Sequence, residues 1–198
     1  MGKAKRKSSR SAPSAITPLL EPLMALQRLL EHFDYQGVII GGIAASLLGK
    51  PRFTADLDAV IMFSIEDLPK LINAAYEQGI APRIAGAETF ARKNRVLLLQ
   101  HQASGTNIDI SLGILPFEYE MVARSQTLKV GSQHLRLPTP EDLIILKAVA
   151  HRPQDLTDIQ AIAASHPGLD KERIRAWVEQ FGAALELPDL WEKISHLL

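Results

Sequence analysis

Hydrophobic positions along this chain fall into short runs with two different periods. Leu19, Leu20, Leu23, Leu26, Leu29, Leu30 and Phe33 recur every three or four residues, which predicts an amphipathic helix over 17–33. Pro18 suits a first helical turn, whereas Pro22 delays the regular helix to about its own position. Val38, Ile39 and Ile40 form a continuous apolar run closed by Gly41-Gly42; a short amphipathic segment follows, then a second apolar run around Asp56-Leu57-Asp58. Two strands with a short helix between them is the simplest reading of 37–62. A helix over 66–78 takes Ser64 as N-cap and Gly79 as stop. The pattern over 80–94 is mixed, with a short helix at 87–93. Strand-like runs at 95–101 and 106–112 are joined by Gln102-Ala103-Ser104-Gly105, a hairpin connection.

Downstream, 116–124 reads as a short helix and 127–137 as a hairpin about Gly131-Ser132. Thr139 caps a helix with Pro140 at its first position, and Arg152-Pro153 ends it. A further helix runs from Pro153 through Ala164, and two more, separated near Leu187-Pro188, occupy 169–198. Trp177 and Trp191 sit on apolar helix faces and read as core. Nothing repeats at a fixed period. The sum is an α/β (α+β) fold with a mixed sheet, flanking helices and a helical C-terminal part.

With 198 residues, 46% hydrophobic and 22% charged, the chain can bury a sizeable core as an ordinary globular protein. No run is long enough to span a membrane, and no apolar segment follows the basic start as a secretory signal requires, so a cytoplasmic protein is expected. The absence of cysteine removes disulfide and thiolate chemistry. A formal net charge of zero hides an asymmetry: residues 1–10 carry five basic and no acidic side chains, leaving 17 basic and 22 acidic residues in the other 188, a net of −5. The expected organisation is a disordered basic tail over 1–15, a core over 16–138 and a helical part over 139–198. The tail is open to two readings, a solvated arm or an electrostatic contact with nucleic acid.

The candidate chemistry begins at Asp56 and Asp58. In a strand, residues i and i+2 share a face about 6.5 Å apart. Two carboxylates that close at the edge of an apolar core are costly unless a cation joins them. Mg²⁺ suits such a site, because it takes one or two carboxylates together with substrate phosphates. The competing reading is a surface strand with two solvated aspartates. Gly41-Gly42 at a strand-to-helix turn lets backbone approach a phosphate, with Ser46 as a hydroxyl one turn later. In 106–112, alternation sets Asn107, Asp109 and Ser111 on one polar face, suited to stand beside Asp56 and Asp58. Lys147 is the polar exception in an otherwise apolar helix and suits contact with a triphosphate, or else an exposed ammonium on an amphipathic stem. Asp155 and Asp158 follow three residues apart; capping of the helix is the competing role for Asp155. Arg92, Lys93 and Arg95 form a basic cluster, which either binds a polyanion or is a solvated face.

Gly41-Gly42, thirteen intervening residues, then Asp56-Leu57-Asp58 resembles the signature of the DNA polymerase β-type nucleotidyltransferase superfamily. The wording Gly49, Arg52, Thr54, Asp56, Asp58 is similar to that of the AbiEii-type branch, which includes toxins of bacterial toxin–antitoxin pairs. The third carboxylate that the superfamily expects is matched by Asp109, and the downstream motif by Lys147, Arg152, Asp155 and Asp158. The resemblance, over roughly 37–160, implies transfer of an NMP from an NTP to a hydroxyl. It implies Mg²⁺ (or Mn²⁺) on Asp56, Asp58 and Asp109, with Lys147 and Asp158 in the active site. Nucleotide contacts would come from Gly41, Gly42, Ser46, Arg52, Thr54 and Lys147. The implied acceptor is RNA, such as a tRNA 3′ end, or a protein, with an antitoxin as a further partner. An antibiotic-type small-molecule acceptor, or a non-catalytic nucleotide-binding module, are the alternatives.

Overall fold

The apolar run ahead of the glycine pair forms the edge strand β1 (Gly37–Ile40) of a five-stranded sheet in the computed structural model, which describes residues 14–198. The basic tail expected at the start of the chain lies outside the described residues up to position 13. The sheet also contains β2 (Leu57–Ile61), β3 (Ile80–Pro82), β4 (Val96–His101) and β5 (Asn107–Leu112), in the order β1-β2-β5-β4-β3. β2 and β5 run parallel, and the other neighbouring pairs antiparallel, so the sheet is mixed as predicted. β3 is an addition to the sequence reading: three residues are too few to display an alternation.

The helices follow the predicted order. They are α1 (Leu20–His32), α2 (Gly41–Leu48), α3 (Leu68–Glu77), α4 (Ala87–Asn94), α5 (Pro116–Arg124), α6 (Pro140–Ala150), α7 (Pro153–Ser165), α8 (Lys171–Ala184) and α9 (Leu190–Ser195). The helix read over 17–33 divides at its prolines into a 3₁₀ turn, Ser14–Leu19, and α1, whose first turn holds Pro22 where a missing N–H costs little. Likewise Ser64 caps a 3₁₀ turn, Ile65–Asp67, through a bond from the Glu66 N–H, and α3 begins only at Leu68, next to Pro69. The hairpin of β6 (Gln126–Val130) and β7 (Gln133–Leu137) turns at Gly131, where φ is +61°, and β7 packs beside β1. Thr139 caps α6 as predicted, accepting from the Asp142 N–H at 3.2 Å.

Strand alternation decides which side chains reach the core. Ile108, Ile110 and Leu112 of β5 are buried, while Asn107, Asp109 and Ser111 turn to the other, partly open face. α2 packs on β1 and β2 and also meets α6 and α7, so it is the element through which the C-terminal helices reach the sheet. Its Ile43, Ala44, Ala45 and Leu47 are buried, small residues mixed with large ones that allow approach from both sides. Trp177 packs edge-on against Phe117, with ring centroids 5.2 Å apart, a core role rather than base stacking.

Ile110 lies between Ala59 of β2 and Leu97 of β4 with no exposed surface. Ile110→Ala is expected to lower unfolding free energy by about 2–5 kcal/mol, as large-to-small changes in a sheet centre do. Urea denaturation of the two proteins measures it.

Candidate active site

Parallel pairing of β2 with β5 sets Asp58 directly across from Asp109, so two carboxylates share one face of the sheet. Asp56 is not in the strand, contrary to the alternation read from sequence. β2 starts at Leu57, and Asp56 is exposed just ahead of it, its carbonyl accepting from Thr54 Oγ1 at 3.3 Å. Pairing with β5 begins at Leu57–Ile108, so Asp56 has no partner strand residue to hold it in the ladder. Burial, the facing Asp109 and the nearby Asp56 push the Asp58 carboxyl above its usual value, against the pull of Lys147 and Arg152.

Gly41 is shaped to this carboxylate. Its φ is +65°, and a Cβ there would stand 2.0 Å from Asp58 Oδ2, so any side chain would evict the acid from its place. A Cβ on Gly42 would come 2.5 Å from Thr54 Oγ1, so the second glycine makes room for the loop that returns to β2. The glycine pair therefore opens α2 directly beside Asp58, as the strand–glycine–helix reading predicted.

The remaining polar residues of the motif hold one another. Ser46 is 2% exposed, and its Oγ donates to the Arg52 carbonyl at 3.0 Å, so its hydroxyl is turned to the loop. Arg52 forms a two-pronged bond with Asp158, Nε to Oδ1 at 2.8 Å and Nη2 to Oδ2 at 2.9 Å. Lys147, 4% exposed, lies between Asp155 Oδ1 and Asp158 Oδ2 at 2.8 Å each. Asp155 also accepts from the Arg152 N–H at 3.2 Å and from Arg152 Nε at 2.6 Å, which makes it the cap of α7 as well as a partner of Lys147. Burial alone would raise Asp155 and Asp158, but bonds and charge from Arg152 and Lys147 on the one, and from Arg52 and Lys147 on the other, outweigh it and hold both below the usual carboxylate range. Asp109, by contrast, meets Arg83, whose Nη1 bonds Oδ1 and whose Nη2 bonds Oδ2 at 3.2 Å. Sequence reasoning missed Arg83; it follows a three-residue strand, and only sheet order brings it to Asp109.

Among the described residues no group of three or more His, Asp or Glu stands together as a ready cation cage. Asp109 is bonded to Arg83, and Asp56 stands ahead of the strand rather than in it. The donor set nevertheless fits a hard cation, since all candidates are carboxylate oxygens. Among the described residues, three carboxylates with one directly bonded guanidinium leave two negative charges unmatched by contact. Arg95 donates to the Leu112 carbonyl, three residues beyond Asp109, and Arg92 is paired with Glu88. His101 bonds Ser104 inside the hairpin turn, away from the carboxylates.

Solved structures share the fold. An antigenic nucleotidyltransferase-like protein from Paracoccidioides brasiliensis aligns over 94% of this chain and 95% of its own, with TM-score 0.55 and 15% identity. ANT(2″)-Ia in complex with adenylyl-2″-tobramycin aligns over 85% and 99%, with TM-score 0.55 and 13% identity. The lincomycin-bound lincosamide antibiotic adenylyltransferase LnuA aligns over 74% and 97%, with TM-score 0.51 and 15% identity. No curated protein matches the chain. Residues 19–180 match the family described as nucleotidyltransferase of unknown function, DUF6036, and the chain belongs to that family. It is therefore an enzyme of the nucleotidyltransferase class, which implies an NTP and an acceptor as substrates. Among the described residues no helix is long and apolar enough to cross a membrane.

Two predictions follow from the electrostatics. Lys147→Ala leaves two buried carboxylates short of a cation and is expected to cost about 3–5 kcal/mol in denaturant unfolding at pH 7. Because Asp155 and Asp158 are depressed in the folded state, their contribution is complete above the unfolded carboxylate value and is lost as pH falls through the folded one. The penalty of the variant should shrink over the same acid range. Asp58 has the opposite sign: raised in the folded state, it costs stability once pH exceeds its unfolded value. Asp58→Asn should melt higher than the wild type at pH 7 in chelator, the gap closing as pH falls toward the ordinary carboxylate range.

Proposed function

We propose that this enzyme moves an NMP from an NTP to an acceptor hydroxyl, with Asp56, Asp58 and Asp109 as its catalytic carboxylates. The observation that carries the reading is Asp58 set across from Asp109, with Gly41 bare beside it. Asp56, Asp58 and Asp109 are the residues that would hold Mg²⁺ or Mn²⁺. When bound, such a cation offsets the charge of the triphosphate and of the oxygens that attack and leave.

The chain's own residues do the rest. The start of α2 at Gly41 and Gly42 presents backbone N–H groups to the phosphates. Asp109 accepts the proton of the acceptor hydroxyl as its oxygen bonds the α-phosphorus, and pyrophosphate leaves with the electrons of the broken P–O bond. Asp158 and Lys147 act behind the site. Through Arg52 and Ser46 they hold the loop that carries Thr54 and Asp56, a positioning role that the buried contacts support better than direct triphosphate contact.

For the acceptor we propose an RNA, a tRNA 3′ end first, or a protein hydroxyl, on the likeness of Gly49, Arg52, Thr54, Asp56 and Asp58 to AbiEii-type toxins. A role as the toxin of a cytoplasmic toxin–antitoxin pair, with an antitoxin protein as partner, belongs to the same reading. Likeness in fold to two antibiotic adenylyltransferases favours a second acceptor class, a small-molecule hydroxyl.

The test is incubation of the wild type and of Asp56→Ala with Mg²⁺, each labelled NTP in turn, RNA and cell extract, followed by separation of products. Label on RNA or protein with the wild type, reduced at least a hundredfold in the variant, is the expected result. Label on small molecules selects the second acceptor class. Equal labelling by the folded variant overturns the assignment of Asp56.

A further inference from the structure

Arg83 lies just past β3, and its guanidinium reaches across the backbone of β4, where Nη1 also donates to the Leu99 carbonyl at 3.1 Å, to bond both oxygens of Asp109 on β5. The carboxylate that would complete a cation site is thus already covered by a cation. The two side chains are 22% and 35% exposed, so water reaches the pair, and an ion pair of that kind is held only weakly against exchange. Arg83 also feels the charge of Asp56.

The other cations around the site are bonded to carboxylates of α7, Arg152 from a largely exposed position. Lys147 is buried between Asp155 and Asp158, Arg52 is bonded twice to Asp158, and Arg152 is bonded to Asp155. The carboxylates behind the site are thus answered by three cations, whereas those in front have, among the described residues, Arg83 in direct contact. A polyphosphate arriving at Asp58 and Asp109 meets the Arg83 guanidinium, which can turn toward it without breaking the buried network. The planar fork of arginine suits two phosphate oxygens as well as it suits two carboxylate oxygens.

Building on the nucleotidyl-transfer reading above, we propose that Arg83 is the polyphosphate-binding cation of this site, held in reserve on Asp109 until nucleotide and divalent cation enter together. The exchange is one of partners: the guanidinium leaves the carboxylate for phosphate oxygens, and the carboxylate is released to the divalent cation. Without nucleotide the cation site is weak because Asp109 is covered. With nucleotide, each ligand removes the obstacle to the other, and their binding is mutually reinforcing.

The test is calorimetric titration of the full chain with Mn²⁺, with and without a non-hydrolysable α,β-methylene NTP, for the wild type, Arg83→Gln, Arg83→Lys and Asp58→Asn. Arg83→Gln is expected to bind Mn²⁺ about tenfold tighter without nucleotide and the nucleotide analogue about tenfold more weakly, the scale of a charge-assisted bond made or lost. Arg83→Lys keeps the charge but not the fork, so it should fall between Arg83→Gln and the wild type in both titrations. It carries the test by itself should Arg83→Gln fail to fold. Arg83→Gln binding both ligands as the wild type does overturns the role of Arg83 and leaves the carboxylate site standing. Arg83→Lys indistinguishable from the wild type overturns the exchange of a two-pronged bond, since charge alone would then suffice. Asp58→Asn binding Mn²⁺ as tightly as the wild type overturns the cation site itself and the proposed chemistry with it.

Discussion

Two carboxylates placed side by side are the constraint on which the rest of this structure depends. Parallel pairing of β2 with β5 leaves Asp58 and Asp109 no freedom to separate, because register is a property of the whole ladder rather than of two residues. Such a pair opposes folding unless something positive stands near it. The protein meets that need unequally. Asp109 has a guanidinium on both oxygens, while Asp58 has, among the described residues, the more distant pull of Lys147 and Arg152 and is pushed above its ordinary value. A folded chain that retains this imbalance keeps an acid where stability alone would not, as sites built for chemistry commonly do.

The helical part completes the site by holding a loop. The segment 49–56, which carries Thr54 and Asp56 up to the start of β2, has no regular structure. Arg52 anchors it to Asp158, Ser46 ties its backbone to α2, and Lys147 with Asp155 closes the network from α6 and the start of α7. Each charge in this cluster meets at least one opposite charge within bonding distance, which is what makes its burial tolerable. Packing of α2 against both the sheet and α6–α7 places the cluster directly behind the glycine pair.

Much of the fold was legible in the chain because its elements are punctuated locally. Ser64 and Thr139 cap where sequence places caps, Pro140 and Pro153 open helices, and Gly131 turns a hairpin. Alternation in 107–112 correctly put Asp109 on the polar face with Asn107 and Ser111. It failed at Asp56, because i and i+2 spacing describes a strand and says nothing of where pairing starts. β3 escaped notice for a related reason: a short edge strand is defined by its neighbour, not by its own pattern.

What the sequence by itself determined, then, is the order and type of the elements, the polar face of β5 and the position of the glycine pair ahead of the acids. These follow from backbone preferences and side-chain period, which act over a few residues. Tertiary structure alone decided which cation answers which carboxylate: Arg52 meets Asp158 across 106 positions, and Arg83 meets Asp109 across 26. It also decided that Lys147 is buried and Arg83 stands in front. An ion pair depends on distance through space, and distance along the chain carries no trace of it until the sheet order and helix packing are known.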